Sequence, residues 1–331
     1  MNQFILRKKL NIKSFENYIA PAQKSNQFSN NGNAVKLLEN RARHMLQIDD
    51  SKAIIATSSG SSAHHAAFNA IFKKNKHKHK VGSQAFTFPT AGQGPSAACL
   101  VVDYNSALNV DIEEVNSRPI EGLCVTNCFG HLQDLEYISD NLAQDVYLVF
   151  DNAATPYSFF NGVNSCNYGT AAFISLHHTK PIGFGEGGLL IIDNEFEEMA
   201  RESINFSFNE EKDFNEWGGN YKMSEVSAAS ILQWWDQFNI EDLKEEYLNE
   251  YYRLKYELKN EKAQAFPHYG DEGFFPSCLP LVYDKDTNLS DVEDKYNVAK
   301  YYKPIADKPI SQSVYNKIIC YGIAPELDSN D

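Results

Sequence analysis

Hydrophobic residues recur along the chain with two spacings, and these spacings predict which segments are helices and which are strands. In residues 33–47 (NAVKLLENRARHMLQ), apolar side chains return every three or four positions, as in Val35, Leu38 and Ala42. This spacing predicts an amphipathic helix. The next segment, KAIIATSSGSSAHHAAFNAIF, predicts a short apolar strand, a Ser/Gly turn and a second helix.

Continuous apolar runs further along the chain predict buried strands. VYLVFD, residues 146–151, is such a run and ends in an acid, and AAFISL and GGLLIID are two more. HLQDLEYISDNL, residues 131–142, predicts a helix before the first of them. Strands that alternate with helices over residues 50–200 predict an α/β fold with a mostly parallel sheet covered on both faces.

The same patterns divide the chain into three parts. Residues 1–30 are polar and weakly periodic, which predicts a partly irregular N-terminal arm. Residues 31–235 form the predicted large domain. Beyond them, NIEDLKEEYLNEYYRLKYELKNEK predicts a long charged helix rich in Tyr, followed by short apolar runs. Residues 236–331 are therefore predicted to form a smaller α+β domain.

Composition restricts the function. Among 331 residues the formal charge is −14, which argues against nucleic-acid binding and against docking to anionic lipid. The chain has no apolar run long enough for a membrane span, and its start has the wrong order of charged and apolar residues for a signal peptide. The six scattered cysteines predict reduced thiols and a cytoplasmic protein.

Neither the cysteines nor the basic run of the chain predicts a metal site. Cys124 and Cys128 are close in sequence but lack a matching second pair, which is a poor zinc pattern. KKNKHKHK, residues 73–80, is interpreted as a solvated helix end before a strand.

Two segments in the first half of the chain are candidates for ligand contact. TSSGSSAHH, residues 57–65, lies between a strand and a helix, where it either caps the helix or holds a phosphate at its N-terminus. In FTFPTAGQG, residues 86–94, Phe86 and Phe88 point to the same side if the segment is extended. A ring there either packs in the core or stacks on a flat cofactor.

Two later segments carry an acid and a lysine. Asp151 ends a predicted buried strand, where it either caps a turn or holds a cationic ring nitrogen. SLHHTKPIGFGEGG, residues 175–188, does not match a P-loop around Lys180. A desolvated lysine instead forms a Schiff base with an aldehyde cofactor. His177 and His178 are interpreted as packing or hydrogen-bonding residues.

Taken together, these segments supply a phosphate cradle, an aromatic face, an acid and a lysine. Those are the parts of a pyridoxal phosphate site, in which the acid keeps the pyridine nitrogen protonated. The combination is more specific than any one of its members.

In these segments the chain resembles the DegT/DnrJ/EryC1/StrS family of nucleotide-sugar aminotransferases. SSGSSAHHAA resembles the family's phosphate loop, FTFPTA its aromatic segment, and SLHHTKPIGFGEGG its lysine signature. INFSF, GGNYKMSEVSAA, YNVAKYYKPIA and YNKIICYGIAPEL are similar to further family segments. The resemblance covers nearly the whole chain. It implies the type I fold of aspartate aminotransferase, with a mostly parallel seven-stranded sheet, helices on both faces and a smaller C-terminal α+β domain.

The resemblance also implies roles for individual residues. Lys180 would bond to pyridoxal 5'-phosphate and move the proton, Asp151 would pair with the pyridine nitrogen, and Phe88 would stack on the ring. The remaining implied contacts are to the phosphate and to the nucleotide sugar: Ser61, Ser62 and Ser175 at the phosphate, Asn220 at the phosphate of the neighbouring subunit in a homodimer, and Tyr301 and Tyr302 at the nucleotide sugar.

Two departures from the family pattern stand near the acid. The family usually has Glu-Asp-Ala-Ala-Gln, whereas this chain has Asp151, Asn152, two alanines and Thr155. Alignment on the strand end selects Asp151 as the acid, and alignment on the alanines selects Asn152. We favour Asp151, because an amide holds the ring proton less well. In both alignments the Gln that supports the phenolic oxygen is missing.

The function that the resemblance implies is transfer of an amino group from L-glutamate to a keto-sugar nucleotide. Lys180 argues against the family's dehydratase branch, in which His replaces the lysine, although Asp151 and Asn152 resemble a motif of that branch. A desulfurase-like enzyme and a non-catalytic regulatory relative are also compatible with the fold. The sequence identifies neither the sugar nor the carbon that is aminated.

Overall fold

The structure, a computed structural model, describes residues 3–209, 212–292 and 294–326. In chain order the strands of the large sheet are β1 Lys52–Thr57, β2 Val81–Gln84, β3 Leu100–Val102, β4 Gly122–Thr126, β5 Tyr147–Asp151, β8 Ala171–Ser175 and β9 Gly188–Asp193. A hairpin of β6 Phe159–Phe160 and β7 Val163–Asn164 lies between β5 and β8. The smaller sheet consists of β10 Ala263–Ala265, β11 Leu279–Tyr283, β12 Val298–Ala299 and β13 Ile318–Tyr321. The helices are α1 Ile12–Ser25, α2 Asn33–Met45, α3 Gly60–Asn75, α4 Ile112–Asn116, α5 Leu135–Asn141, α6 Glu197–Ser203, α7 Glu225–Trp235, α8 Ile240–Glu257 and α9 Pro309–Lys317.

The large sheet has seven strands in the order β1-β9-β8-β5-β4-β2-β3. From β8 to β3 all neighbours are parallel, and β9 runs antiparallel to both β8 and β1. The prediction of a mostly parallel seven-stranded sheet is confirmed. Because parallel strands end at the same edge, Thr126, Asp151 and Ser175 at the ends of β4, β5 and β8 come together there.

Helices cover both faces of this sheet, as the pattern predicts. Side chains along β9 alternate between two cores: Leu190 and Ile192 pack with α3, and Leu189 and Ile191 pack on the side of α2 and α7. This alternation follows from the two-residue period of a strand. The position of α3 on one face is what brings its N-terminus to the edge where the parallel strands end.

The N-terminal arm is more regular than its weak periodicity predicts. Residues Ile12–Ser25 form α1, and the side chain of Asn11 caps the helix by accepting from Ser14 N–H. The helix packs against α7 and buries Ile19 and Ala22. Phe15, Tyr18, Ile19 and Ala22 lie at helical spacing and pack on the core, and this apolar face is what the prediction of a partly irregular arm overlooked.

Beyond α7, the long charged helix forms as α8 and buries Tyr247, Tyr251 and Leu254 along one face. An antiparallel sheet in the order β10-β11-β13-β12 and α9 complete a smaller α+β part of the chain. The domain limits at residues 30 and 235 remain predictions. Leu327, the last residue of the YNKIICYGIAPEL segment, and the end of the predicted domain at residue 331 lie outside the described residues.

All six cysteines are free thiols. Within the described ranges, no helix combines the length and the apolar composition that crossing a membrane requires.

Candidate active site

A cavity of about 350 Å³ opens at the carboxyl edge of the large sheet, beside the N-terminus of α3. This is the place where open α/β sheets bind ligands. The cavity brings together most of the site residues that the sequence predicts: Ser61, Phe88, Asp151, Ser175, Lys180 and Tyr302.

The N-terminus of α3 forms the polar end of the cavity. Ser59 caps the helix by accepting from Ser62 N–H at 3.1 Å, and Ser59, Gly60 and Ser61 line the cavity. A Cβ on Gly60 would lie 3.1 Å from the Cβ of Ser175, so the loop passes close to β8. Exposed N–H groups and the helix dipole at this point suit a phosphate.

Ser62 takes a different position from the one that the resemblance implies. It is buried, and its hydroxyl lies 2.8 Å from Ser58 Oγ and 3.0 Å from Ser59 Oγ. It therefore supports the loop from behind and does not line the cavity.

Asp151 directs its carboxylate into the cavity, whereas Asn152 points into the core. Asp151 accepts a hydrogen bond from Ala153 N–H at 3.0 Å and a long one of 3.4 Å from the Thr126 hydroxyl. Asn152 donates to Ser165 Oγ at 3.1 Å and accepts from Asn127 Nδ2 at 2.7 Å. Of the two residues, Asp151 is therefore the one that lines the cavity, and its role at a ring nitrogen remains a prediction.

Burial controls the charge of Asp151. Desolvation raises the pKa of its carboxyl to about 6, although the Ala153 N–H and the positive charge of Lys180 act in the opposite direction. Two hydrogen bonds leave the carboxylate with unused acceptor capacity. A cationic N–H donor in the cavity would use that capacity.

Lys180 follows β8 on a tight loop that ends at β9. Lys180 N–H donates to His177 O at 2.9 Å, and Gly183 N–H donates to Lys180 O at 3.0 Å. A Cβ on Gly183 would lie 2.2 Å from His177 O, so only glycine fits this turn. Burial lowers the pKa of the Lys180 amine, and the charge of Asp151 partly opposes this shift.

Lys8 holds the same loop from the N-terminal segment, a contact that the sequence does not predict. Its Nζ donates to three carbonyl oxygens: His178 at 2.8 Å, Lys180 at 2.6 Å and Gly183 at 2.5 Å. The ring of Trp234 lies 5.4 Å from the same nitrogen. Burial lowers the pKa of Lys8 to about 7. Since an ammonium has three donors, Lys8 satisfies three loop carbonyls at once.

The two phenylalanines of FTFPTAGQG occupy different environments, because the segment bends and is not extended. Phe88 lines the cavity with 54% of its surface exposed, while Phe86 is fully buried. The ring of Tyr302 meets both edge-on, at 6.4 Å and 6.0 Å between centroids. Phe88 is thus free to cover a ligand, and its ring contacts Tyr302, which in turn packs on Phe86.

Besides Ser62, two predicted site residues, Tyr301 and Asn220, do not line the cavity of this chain. Tyr301 is 43% exposed and lies edge-on to Phe4 at 6.2 Å. Asn220 is exposed and pairs through its backbone with Asn205. Their roles remain predictions.

The structure adds residues that the motif did not identify as site residues. His177 lines the cavity, accepts at Nδ1 from Thr179 N–H at 3.2 Å, and lies with Nε2 3.4 Å from the Glu186 carboxylate. His178 turns away and packs edge-on against Phe184. Asn127, which lines the cavity after β4, carries no signal in the sequence beyond its place at a strand end.

The chain is similar to known proteins over most of its length. The model of the DegT/DnrJ/EryC1/StrS aminotransferase family matches residues 10–272. GDP-4-keto-6-deoxy-D-mannose 3-dehydratase of Yersinia pseudotuberculosis is 26% identical over 158 residues, which are 44% of this chain and 40% of the relative. dTDP-4-amino-4,6-dideoxy-D-glucose transaminase of Shigella dysenteriae is 32% identical over 126 residues, 37% of this chain and 34% of the relative. The chain thus aligns with less than half the length of these relatives.

Solved structures share the fold over almost the full chain. DesI, crystallised in the presence of its TDP-sugar product, superposes with a TM-score of 0.79 at 17% identity and covers 97% of this chain and 88% of its own. The E. coli GDP-4-keto-6-deoxy-D-mannose-3-dehydratase with bound hydrated PLP gives a TM-score of 0.76 at 15% identity, over 98% of this chain and 95% of its own. At these identities the likeness establishes the fold.

Proposed function

The chain belongs to the DegT/DnrJ/EryC1/StrS aminotransferase family, and from that premise we propose that it transfers an amino group from L-glutamate to a keto-sugar nucleotide, with pyridoxal 5'-phosphate as cofactor. The observation that carries the proposal is the meeting of Asp151, Lys180 and the N-terminus of α3 around one cavity. Each of the three matches a different part of the cofactor, and no two of them are neighbours in the sequence.

The residues present fit this cofactor. The capped helix start at Ser59–Ser61 offers N–H donors to a phosphate, and the carboxylate of Asp151 has acceptor capacity left for a ring N–H. Phe88 is exposed at the cavity and would cover one face of a planar ring. When bound, the cofactor supplies an aldehyde that takes up the amino group and a ring that withdraws electrons.

Lys180 would be the group that attaches the cofactor and moves the proton. Because burial lowers the pKa of its amine, more of Lys180 is neutral at physiological pH than of a solvated lysine. A neutral Nζ can act as a nucleophile and then as a base that accepts a proton and returns it. Lys8 fixes the backbone on both sides of Lys180, so it would limit how far Nζ moves between these roles.

The first test is covalent attachment. The purified protein incubated with pyridoxal phosphate should be yellow, and borohydride reduction should leave the cofactor on the peptide that contains Lys180, as read by mass spectrometry. Lys180→Ala should lose both signals, and the exposed Lys9→Ala variant should keep them. If the wild-type protein binds no cofactor, or if the cofactor is found on another lysine, the proposal is wrong.

The second test separates transamination from dehydration. The similarity to the Yersinia dehydratase supports dehydration. Lys180 supports transamination, because the resemblance implies that the dehydratase branch has His in place of this lysine. We expect L-glutamate to convert the bound cofactor to its amine form, and a keto-sugar nucleotide from a GDP-, UDP- and dTDP-linked panel to regenerate it while an amino sugar forms. A sugar product that has lost a hydroxyl and gained no nitrogen would identify a dehydratase.

We further propose a homodimer in which Asn220 of one subunit serves the cavity of the other, and a cytoplasmic location. Support for the dimer is that Asn220 is exposed and outside its own cavity; support for the location is the set of free thiols. Mixing Lys180→Ala with Asn220→Ala subunits tests the sharing. Both mutations then fall in one cavity of the hybrid, so the other cavity recovers activity. If no mixture is more active than both single-mutant proteins, Asn220 does not serve the cavity of the other subunit.

A further inference from the structure

His77, His79 and Glu121 meet at the end of the large sheet opposite the candidate active site. The two histidines lie in the connection between α3 and β2, and Glu121 directly precedes β4. Since β2 and β4 are parallel neighbours with Val81 opposite Gly122, the residues before the two strands lie side by side. The backbone continues this pairing, because Glu121 N–H donates to Lys80 O at 2.9 Å.

Three potential ligand atoms converge at this point. Nε2 of His77 lies 3.5 Å and Nδ1 of His79 lies 3.6 Å from the same carboxylate oxygen of Glu121. One ligand atom from each of the three residues lies within 4.8 Å of the others, and among the described residues this is the one such cluster of His, Cys, Asp and Glu. Tetrahedral zinc with ligand bonds near 2.0–2.2 Å separates its ligand atoms by about 3.4 Å. The two distances from the histidine nitrogens to Glu121 are close to that value.

The surrounding contacts orient each ligand atom toward the shared point. Nδ1 of His77 lies 3.0 Å from Asn75 O, to which it can donate, and this leaves the Nε2 lone pair for a metal. The other oxygen of Glu121 accepts from Lys80 N–H at 3.1 Å, and this fixes the carboxylate. Such outer contacts are the usual support of metal-bound histidine and carboxylate.

His79 supplies the second, independent indication. Its side chain is only 5% exposed, and neither of its ring nitrogens has a hydrogen-bond partner. A buried polar atom without a partner costs free energy, so most such atoms are paired. A bound ion would satisfy Nδ1 of His79.

We propose that His77, His79 and Glu121 bind one divalent metal ion of the zinc class, with a fourth position open to water. Two imidazoles and a carboxylate favour zinc, copper or nickel over magnesium or calcium, which prefer oxygen ligands. The nearby Lys76, Lys78 and Lys80 are exposed and solvated, and salt screens their repulsion.

The expected consequence is stability and not catalysis. The ion would tie the end of α3 to the start of β4, while the active-site end of β4, at Thr126, lies about 13 Å away along the strand. Binding to the folded state alone raises the melting temperature. This inference does not depend on the proposed aminotransferase activity.

The test uses the full chain with its cofactor and without an affinity tag. In equilibrium dialysis with Zn²⁺ alone, metal analysis should find one equivalent bound at this site. The bound Zn²⁺ should raise the melting temperature. Co²⁺ in its place should give the visible absorption bands of a tetrahedral or five-coordinate ion. Each of His77→Ala and Glu121→Gln should weaken Zn²⁺ binding by about tenfold or more. Both residues are at the surface, so these variants should fold.

His44→Ala is the matched control, because His44 is exposed and outside the cluster. This variant should bind Zn²⁺ like the wild type. Three results would overturn the proposal: no Zn²⁺ binding by the wild type, equal binding by His77→Ala and wild type, or a Co²⁺ spectrum that Glu121→Gln leaves unchanged.

Discussion

Replacing Asp151 by Asn should stabilise the cofactor-free protein while it removes activity. The carboxyl is buried at the end of β5, and desolvation raises its pKa to about 6. Asn has nearly the same shape and can still accept from Ala153 N–H through its amide oxygen. The substitution therefore removes a buried charge with little change in packing.

The magnitude follows from the two pKa values. A carboxyl with a pKa of 3.8 in the unfolded chain and about 6 in the folded chain costs the folded state about 3 kcal/mol once it is fully ionised. Because the folded state binds this proton more tightly, the cost is absent below pH 3.8, grows between pH 3.8 and 6, and is constant above. The attraction between Asp151 and Lys180 is already part of the pKa of about 6, so it is not subtracted a second time.

The assay is urea unfolding of cofactor-free wild type and Asp151→Asn at pH 4 to 8. The variant should be more stable at pH 8, and the difference should shrink as the pH falls toward 4. Asp236→Asn is the control, because hydrogen bonds from Ser14, Arg41 and Tyr18 lower the pKa of that carboxyl. Its removal should destabilise the protein at pH 8.

The activity of the holoprotein should change in the opposite direction. An amide cannot keep a ring nitrogen protonated as a carboxylate does, so Asp151→Asn should lose turnover even where it is more stable. If Asp151→Asn is less stable than wild type at pH 8, or if the stability difference does not depend on pH, the buried charge of Asp151 does not cost the folded state free energy.

Three further substitutions test how the site is held. Lys8→Met should weaken cofactor binding in an absorbance titration, because three carbonyls of the Lys180 loop lose their shared donor; the exposed Lys9→Met should bind the cofactor normally. Gly188→Ala should prevent cofactor binding in an absorbance titration, since its Cβ would lie 2.4 Å from the backbone of Ser59, whereas Gly92→Ala meets only ordinary contacts from 3.7 Å and should bind normally. Ser59→Ala should cost about 1 kcal/mol of stability in thermal unfolding, through loss of the helix cap; an unchanged melting temperature would contradict a capping role.

Local patterns in the sequence are enough to place much of the site. Asp151 and the serines at the start of α3 lie where a strand meets a turn, and Lys180 lies in the loop that follows β8. The ends of these strands follow from short apolar runs. The parallel order of the strands then brings these ends to one edge. For this reason the sequence predicts which residues share the cavity, although they are far apart in the chain.

Such patterns do not predict which of Asp151 and Asn152 lines the cavity. Neighbours at the end of a strand point to opposite faces, so the sequence implies that only one of them enters the cavity. Which one enters depends on the face that carries α3, and that is settled by packing across the sheet. A backbone bend also places Phe86 and Phe88 in different environments, and the spacing of hydrophobic residues does not predict that bend.

The order of the elements, the parallel sheet and the residues at its carboxyl edge follow from the sequence, because each depends on spacing within a short segment. The contacts of Lys8 with the loop of Lys180, and of Glu121 with His77 and His79, are seen only in the folded chain. Both are contacts between segments distant along the chain, made by single polar side chains. A single polar side chain produces no repeating pattern in the sequence. Its contact with a distant segment therefore cannot be predicted from residue spacing.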